Sequence, residues 1–221
     1  MKRKRGDLCT YCDEPATTDD HVPPQLLFPT AKPAELVFVP ACLRCNSEAS
    51  FDDEYIRSVF VVEDRAAQHP EARAAYDSFK RSLRIPEKQG FKRGFFASTE
   101  PVRIISPEGN VDTGIKTIDM DRISKVLIRV ARGLYREAYD RRAPLCCNGL
   151  VTSVLNPDQI TFDVARDFSR DLERLATHSI GNDGAFRYRF AAASDDPNTS
   201  AWWFEFYRAL PFIVLLIDPH D

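Results

Sequence analysis

The sequence predicts an α+β fold in which a small cysteine-rich module precedes a larger region of helices and antiparallel strands. Two Cys-x2-Cys pairs, at residues 9–12 and 42–45, mark the module. Between Asp119 and Arg142, apolar residues recur every three or four positions, which is the spacing of one buried helix face. Residues 186–190 alternate between aromatic and basic side chains, as a half-buried strand does.

We predict a division of the chain near residue 60. Residues 1–60 form the cysteine-rich module, with a helix from about residue 46 to 58, and residues 61–221 form the helix and antiparallel-sheet region. The elements predicted in this second part are a helix at 62–84 interrupted at Pro70, a hairpin at 102–118, helices at 119–142 and 157–178, and strands at 186–190, 202–207 and 212–217.

Composition excludes several classes of protein. The chain has 221 residues and a net charge of −3, and no run of about 18 apolar residues predicts a membrane span. The basic start is followed by Gly6, Asp7 and Cys9 instead of an apolar segment, so we expect no secretory signal and a cytoplasmic protein. The acidic balance argues mildly against nucleic-acid binding, although basic residues are in excess between residues 61 and 142.

The paired cysteines predict a structural zinc site. Two Cys-x2-Cys pairs supply four thiolates with the spacing that tetrahedral Zn²⁺ requires. All four ligand positions would be filled by sulfur, which leaves no position for water or substrate. A disulfide framework is the weaker interpretation because no secretory signal is expected. The predicted ligands are Cys9, Cys12, Cys42 and Cys45. We expect Cys146 and Cys147 to be buried as small hydrophobic residues.

Chemically useful side chains lie between and directly after the cysteine pairs. Asp20 and His21 precede Pro23 and Pro24, and Asn46 follows Cys45 directly. Imidazole has an ordinary pKa near 6.5 and suits a general base, whereas carboxylate and amide oxygens suit Mg²⁺. We expect Asp20 and His21 to lie where a strand ends and a loop begins, because a bend is needed to bring both side chains to one phosphate.

The order of these motifs resembles an HNH endonuclease of the ββα-metal class with zinc knuckles. The resemblance is carried by Cys-x-Tyr-Cys, Asp-His-x-x-Pro and Pro-Ala-Cys-x-x-Cys-Asn, and it covers roughly residues 7–60. It implies hydrolysis of DNA phosphodiester bonds with 5′-phosphate products. In that family the residue matching His21 is the general base, and those matching Asp20 and Asn46 bind a divalent ion, Mg²⁺ or Mn²⁺. The second region would then set substrate choice or form a homodimer.

One departure from the family leaves other functions open. The usual middle Asn is absent from residues 33–40, where Glu35 is the one residue that could replace part of its role. The alternative is a non-catalytic zinc-knuckle module that recognises nucleic acid or protein. RNA is a second candidate substrate, and no membrane partner is expected.

Several charged groups have two interpretations each. Asp52, Asp53 and Glu54 are expected on a solvated helix face, with an additional metal ligand as the alternative. Arg122, Lys125 and Arg129 are likewise expected on a solvated face, with a DNA-facing surface as the alternative. The basic and aromatic residues between Lys80 and Phe96 suit either a solvated loop or a nucleic-acid surface. The remaining histidines, His69, His178 and His220, are expected on the surface.

Overall fold

The computed structural model describes residues 6–107, 109–153, 171–172 and 174–219. Its helices are α1 (Leu43–Val61), α2 (Pro70–Ser82), α3 (Gln89–Ala97) and α4 (Met120–Tyr139). Its strands are β1 (Thr18–Val22), β2 (Val37–Ala41), β3 (Thr99–Ser106), β4 (Gly109–Lys116), β5 (Asn148–Ser153), β6 (His178–Ile180), β7 (Phe186–Ala192), β8 (Ser200–Phe206) and β9 (Leu210–Ile217). Helices and antiparallel strands confirm the predicted α+β class.

The strands form two hairpin-like pairs and one larger sheet. β1 pairs with β2, and β3 pairs with β4, both antiparallel. The five-stranded sheet has the order β5-β9-β8-β7-β6, and all of its pairings are antiparallel. Strand β8 lies at its centre and buries Trp202, Phe204 and Phe206. These large side chains pack on one face because alternate residues of a strand point the same way.

Local sequence explains where the main helices begin. Asp119 caps α4 by accepting a hydrogen bond from the backbone nitrogen of Arg122. His69 caps α2, and Pro70 occupies the first turn, where its missing N–H costs nothing. His69 is therefore buried, and the expectation of a surface position was wrong. Cys42 caps α1 through its sulfur, so this helix starts inside the second cysteine pair.

Helix α4 connects the parts of the chain. It packs against α1, β2, β5 and β9 through the predicted apolar stripe, which includes Ile123, Leu127 and Leu134. One cluster of buried residues thus extends from Val22 in β1 to Leu216 in β9. This core joins residues from both sides of position 60, so it does not separate two domains there. The division of the chain near residue 60 stays a prediction.

Several elements differ from the sequence predictions. Helix α1 begins three residues earlier and extends to Val61, where Tyr55, Ile56 and Phe60 are buried in the core. Helix α3 forms where a loop was one interpretation, although its two glycines make it a poor helix former. Strands β5 and β6 were not predicted, since neither shows clear alternation. Most of the helix predicted at 157–178 lies outside the described residues.

The prediction for Cys146 and Cys147 has a mixed outcome. Cys147 is buried as predicted, whereas Cys146 is exposed, so the expectation for Cys146 was wrong. In the described part of the chain, no helix combines the length and the apolar character needed to cross a membrane.

Candidate functional site

Four thiols form a compact cluster at the N-terminal end of α1. The sulfur atoms of Cys9, Cys12, Cys42 and Cys45 all lie within 4.8 Å of one another, and none of them forms a disulfide. Cys12 Sγ lies 3.7 Å from Cys42 Sγ and 3.6 Å from Cys45 Sγ. A tetrahedral site with Zn–S bonds of about 2.3 Å has S–S edges of about 3.8 Å. The four thiols therefore fit a tetrahedral metal such as Zn²⁺.

Backbone amides donate to two of the four sulfur atoms, although burial raises the pKa of Cys9 and of Cys45. The amide of Tyr11 donates to Cys9 Sγ, and the amide of Cys45 donates to Cys42 Sγ, each at 3.4 Å. The hydrogen bond from Cys45 lowers the pKa of Cys42 to about 7. Both the amide and the hydroxyl of Thr10 donate to the carbonyl of Pro40 at 2.8 Å, which joins the first cysteine loop to β2. The sequence thus places two loops so that their sulfur atoms converge.

Asn46 is held against β1 by its amide nitrogen. Nδ2 donates to Thr18 Oγ1 at 3.2 Å and to the carbonyl of Asp19 at 3.3 Å. Asn46 is also fixed covalently to Cys45, within the first turn of α1. Because both contacts use the nitrogen, the amide oxygen can serve as a cation ligand.

His21 lies on β1 opposite Phe38 and is half-buried. Its Nε2 is 3.2 Å from Lys32 Nζ, and an ammonium group can only donate, so Nε2 is the acceptor. The ring centroids of His21 and Phe38 are 4.8 Å apart, and the Lys32 ammonium lies 4.1 Å above the same phenyl ring. Burial, and next the charge of Lys32, lower the pKa of His21. At neutral pH the imidazole is therefore uncharged, as a general base must be.

Asp20 is buried and already has two partners. Its Oδ2 accepts from the Tyr11 hydroxyl at 2.6 Å, and its Oδ1 accepts from Arg129 Nη2 at 3.2 Å. The residue is 3% exposed. Burial, with the nearby carboxylate, raises the pKa of Tyr11, so the phenol stays protonated and donates. Strand β1 ends at Val22, one residue after His21, so Asp20 and His21 lie in the last part of the strand, close to the predicted position.

One cavity of about 560 Å³ brings the three predicted residues together. Asp20 and His21 line it from β1, and Asn46 lines it from α1. The α1 wall continues with Ser50, Asp53 and Arg57. From Asn46 onward, these positions are separated by four, three and four residues, which is the spacing of one helix face. Lys32 lines the same space beside His21. We call this space the His21 cavity.

Arg129 of α4 bridges two carboxylates at the cavity. Its Nη2 donates to Asp20 Oδ1 at 3.2 Å and to Asp53 Oδ2 at 3.1 Å. Burial raises the pKa of Asp53 to about 6. The solvated faces expected for Asp53 and for Arg129 were therefore wrong, because α1 and α4 pack these faces against each other. Nearby Arg122 and Asp52 form a separate, more exposed ion pair.

We predict that replacing Arg129 by methionine destabilises the protein by about 3–5 kcal/mol at neutral pH. The variant leaves Asp20 and Asp53 buried beside each other without the shared cation. Chemical denaturation monitored by circular dichroism measures the change in the free energy of unfolding. Arg122→Met is the matched control and is expected to cost about 1 kcal/mol or less, because its pair is partly solvated. Equal losses in the two variants would contradict the prediction.

Some residues of the site were missed from sequence. Asp53 was named as an alternative metal ligand, whereas Arg57 was missed although it follows Asn46 at helical spacing. Lys32 and Arg129 carried no local signal, because Lys32 lies in an irregular segment and Arg129 is 109 residues from Asp20.

The described residues thus combine an uncharged imidazole, several oxygen donors and a four-thiol cluster within one short stretch of the fold. Such groups suit a general base, a hard divalent cation and a tetrahedral structural metal. Comparisons with protein-family models, with curated proteins and with solved structures give no match to this chain.

Proposed function

We propose that this protein is a metal-dependent endonuclease that hydrolyses DNA phosphodiester bonds. His21 is the general base, and Asp20 and Asn46 bind a divalent ion, Mg²⁺ or Mn²⁺. The observation that carries the proposal is that His21, Asp20 and Asn46, chosen from sequence, line the same cavity beside the four-thiol cluster. The chain order β1, β2, α1 agrees with the ββα arrangement that the HNH resemblance implies.

The chain's own groups account for the proton transfer. A water molecule must first replace Lys32 at Nε2 of His21, because this nitrogen has a single lone pair. Nε2 then takes a proton from that water, and the water oxygen attacks phosphorus as the P–O3′ bond breaks. The products are then a 5′-phosphate and a 3′-oxygen that is protonated by solvent. A divalent ion, when bound, neutralises the charge that develops on the phosphate and on the departing oxygen. Burial, and next the charge of Lys32 beside Nε2, lower the pKa of His21 and so favour the neutral imidazole.

Zn²⁺ in the four-thiol cluster has a structural part in this proposal. It fixes the first turn of α1, and with it Asn46, against β1. This support matters because small displacements of catalytic groups reduce rates strongly. Asp20 and Asn46 provide the oxygen donors that Mg²⁺ or Mn²⁺ prefers, whereas the cysteines suit the softer Zn²⁺.

A second candidate function is a non-catalytic zinc-knuckle module that recognises nucleic acid or protein. The engagement of both Asp20 oxygens by Tyr11 and Arg129 favours it, because these bonds compete with a cation. The absence of the middle Asn favours it as well.

Incubation of supercoiled plasmid with the zinc-loaded protein separates these functions. We expect nicked and linear DNA with Mg²⁺ or Mn²⁺, and intact plasmid without added divalent ion. A parallel incubation with single-stranded RNA tests the other substrate class. Absence of cleavage of either substrate by a folded, zinc-loaded protein would exclude the endonuclease and leave the recognition module.

We also predict that Lys32→Met raises the pKa of His21 toward its ordinary value. The charge of Lys32 favours the neutral imidazole, so removing it favours the protonated form. Since the neutral form is the base, the acid limb of the cleavage profile should move to higher pH. The His21 Cε1 proton shift, followed by NMR against pH, measures the pKa directly. Lys125→Met, on α4 outside the His21 cavity, is the control, and an unchanged titration in Lys32→Met would contradict the prediction.

A further inference from the structure

The α1 wall of the His21 cavity holds a carboxylate that the proposed function does not use. Asp53 lies seven residues after Asn46, two turns along the same helix face, and both residues line the cavity. Asp53 is 9% exposed, so most of its side chain is removed from bulk water. Such a carboxylate is costly to bury unless its oxygens find partners.

The two oxygens of Asp53 have unequal surroundings. Oδ2 accepts from Arg129 Nη2 at 3.1 Å, whereas Oδ1 is buried and has no hydrogen-bond partner among the described residues. Asp20 differs, because each of its oxygens accepts one hydrogen bond. An unsatisfied buried acceptor costs about 1–3 kcal/mol, and more when it is charged. Asp53 Oδ1 therefore has a wholly free acceptor position, whereas each Asp20 oxygen already accepts one hydrogen bond.

The local charge also favours a cation at this position. Asp20 Oδ1 and Asp53 Oδ2 contact the same nitrogen of Arg129, so the two carboxylates lie side by side. The Arg129 guanidinium neutralises one of the two negative charges, so the three side chains together keep an excess of one negative charge. A divalent cation together with one phosphodiester would compensate that excess.

Arg57, one turn beyond Asp53, complements this arrangement. It lines the same cavity, and its buried Nε has no hydrogen-bond partner among the residues described. Its Nη2 pairs with Glu54 at 3.4 Å, and Lys88 pairs with Glu54 as well. An anionic acceptor and a cationic donor thus stand in neighbouring turns, both incompletely bonded. A cation-bound phosphate offers a partner to each of them.

We propose that Asp53 is a further oxygen ligand of the divalent cation in the His21 cavity, beside Asn46. This inference depends on the proposed function for the identity of the cavity as the cleavage site. It adds a charged ligand from α1 to Asp20 and Asn46, while Arg129 holds Asp20 and Asp53 side by side.

Manganese binding tests the proposal without requiring cleavage. The zinc-loaded full-length protein is titrated with Mn²⁺, and the free ion is measured by electron paramagnetic resonance. Asp53→Asn is expected to weaken Mn²⁺ binding about tenfold or more, while its amide oxygen can still accept from Arg129. Asp52→Asn makes the same chemical change at the next residue, whose carboxylate pairs with Arg122, and is expected to shift binding by less than about twofold.

A second variant protects the test against misfolding. Asp53→Glu keeps the charge and the partner for Arg129 but moves the oxygens by one methylene, so we expect weaker Mn²⁺ binding with zinc content and melting temperature retained. Mn²⁺ affinity at the wild-type level in folded Asp53→Asn or Asp53→Glu would overturn the inference, as would a wild-type protein that binds no Mn²⁺.

The plasmid assay separates this inference from the proposed function. If Asp53→Asn cleaved the plasmid with the same dependence on Mn²⁺ concentration as the wild type, the ligand assignment would be overturned and the endonuclease would stand. Suppose instead that the wild type binds Mn²⁺ but cuts neither DNA nor RNA, and that Asp53→Asn weakens this binding. That result would support the cation site and exclude the endonuclease.

Discussion

His21→Ala should lose nearly all DNA cleavage, with a rate about 10²–10⁴ times lower than that of the unchanged protein. The variant removes the imidazole whose Nε2 is kept as an uncharged acceptor beside Lys32. It leaves the four-thiol cluster and Asn46 in place, so zinc content should remain one ion per chain. Plasmid nicking under single-turnover conditions measures the rate, and metal analysis with circular dichroism measures zinc and folding.

His178→Ala is the matched control for this experiment. His178 begins β6 and stacks on Tyr188, with ring centroids 4.9 Å apart, in the five-stranded sheet instead of the cavity. We expect its cleavage rate to stay within about twofold of wild type, because exposed side chains away from a site seldom change function by more. Full nicking by a folded His21→Ala protein, with Mn²⁺ supplied, would refute His21 as the base.

The sequence alone indicated those groups of the site that lie close together along the chain. Four cysteines, Asp20, His21 and Asn46 occur within about forty residues, and their types and spacing indicated both the thiol cluster and the cavity-lining groups. The helix face that carries Asp53 is also local, since it continues the periodicity from Asn46. Asp53 was expected on a solvated face, with a metal ligand as the alternative, because charged side chains on a helix are commonly solvated.

Long-range partners could not be predicted in the same way. Arg129 contacts Asp20 and Asp53 only because α4 packs against α1 and β1, and a single sequence does not indicate which of several arginines faces inward. Strand β5 forms by pairing with β9, although residues 148–153 show no clear strand pattern. Tertiary packing thus decided the burial of charges and the edge of the sheet, which local propensity does not determine.

Helix α4 links the candidate site to the rest of the molecule at two further points. Beyond its end, Arg142 Nη1 donates to the carbonyls of Cys9 and Cys12, at 3.2 and 2.8 Å. Arg129, in its middle, holds Asp20. A substitution that loosens the thiol cluster should therefore also weaken packing beyond residue 60.

Cys42→Ser is expected to remove the zinc ion and to lower the stability of the protein strongly. Cys42 contributes one of four sulfur atoms, caps α1 and accepts from the amide of Cys45. In small domains the binding of structural zinc supplies much of the folding free energy, so losing a ligand removes both the metal and the support of the helix. We expect zinc content well below one ion per chain and a melting temperature lower by about 10 °C or more.

Hydrogen exchange shows where that stability is lost. Amides of β1, β2 and the first half of α1 should lose protection first, since they surround the cluster, and cleavage should disappear because Asn46 is no longer positioned. Cys146→Ser is the control, because Cys146 is exposed and lies outside the cluster, and it should match the unchanged protein. A metal-free Cys42→Ser protein with native exchange in β1 and α1 would show that the thiols are ordinary reduced cysteines. The support proposed for Asn46 would then have to come from Thr18 and Asp19 alone.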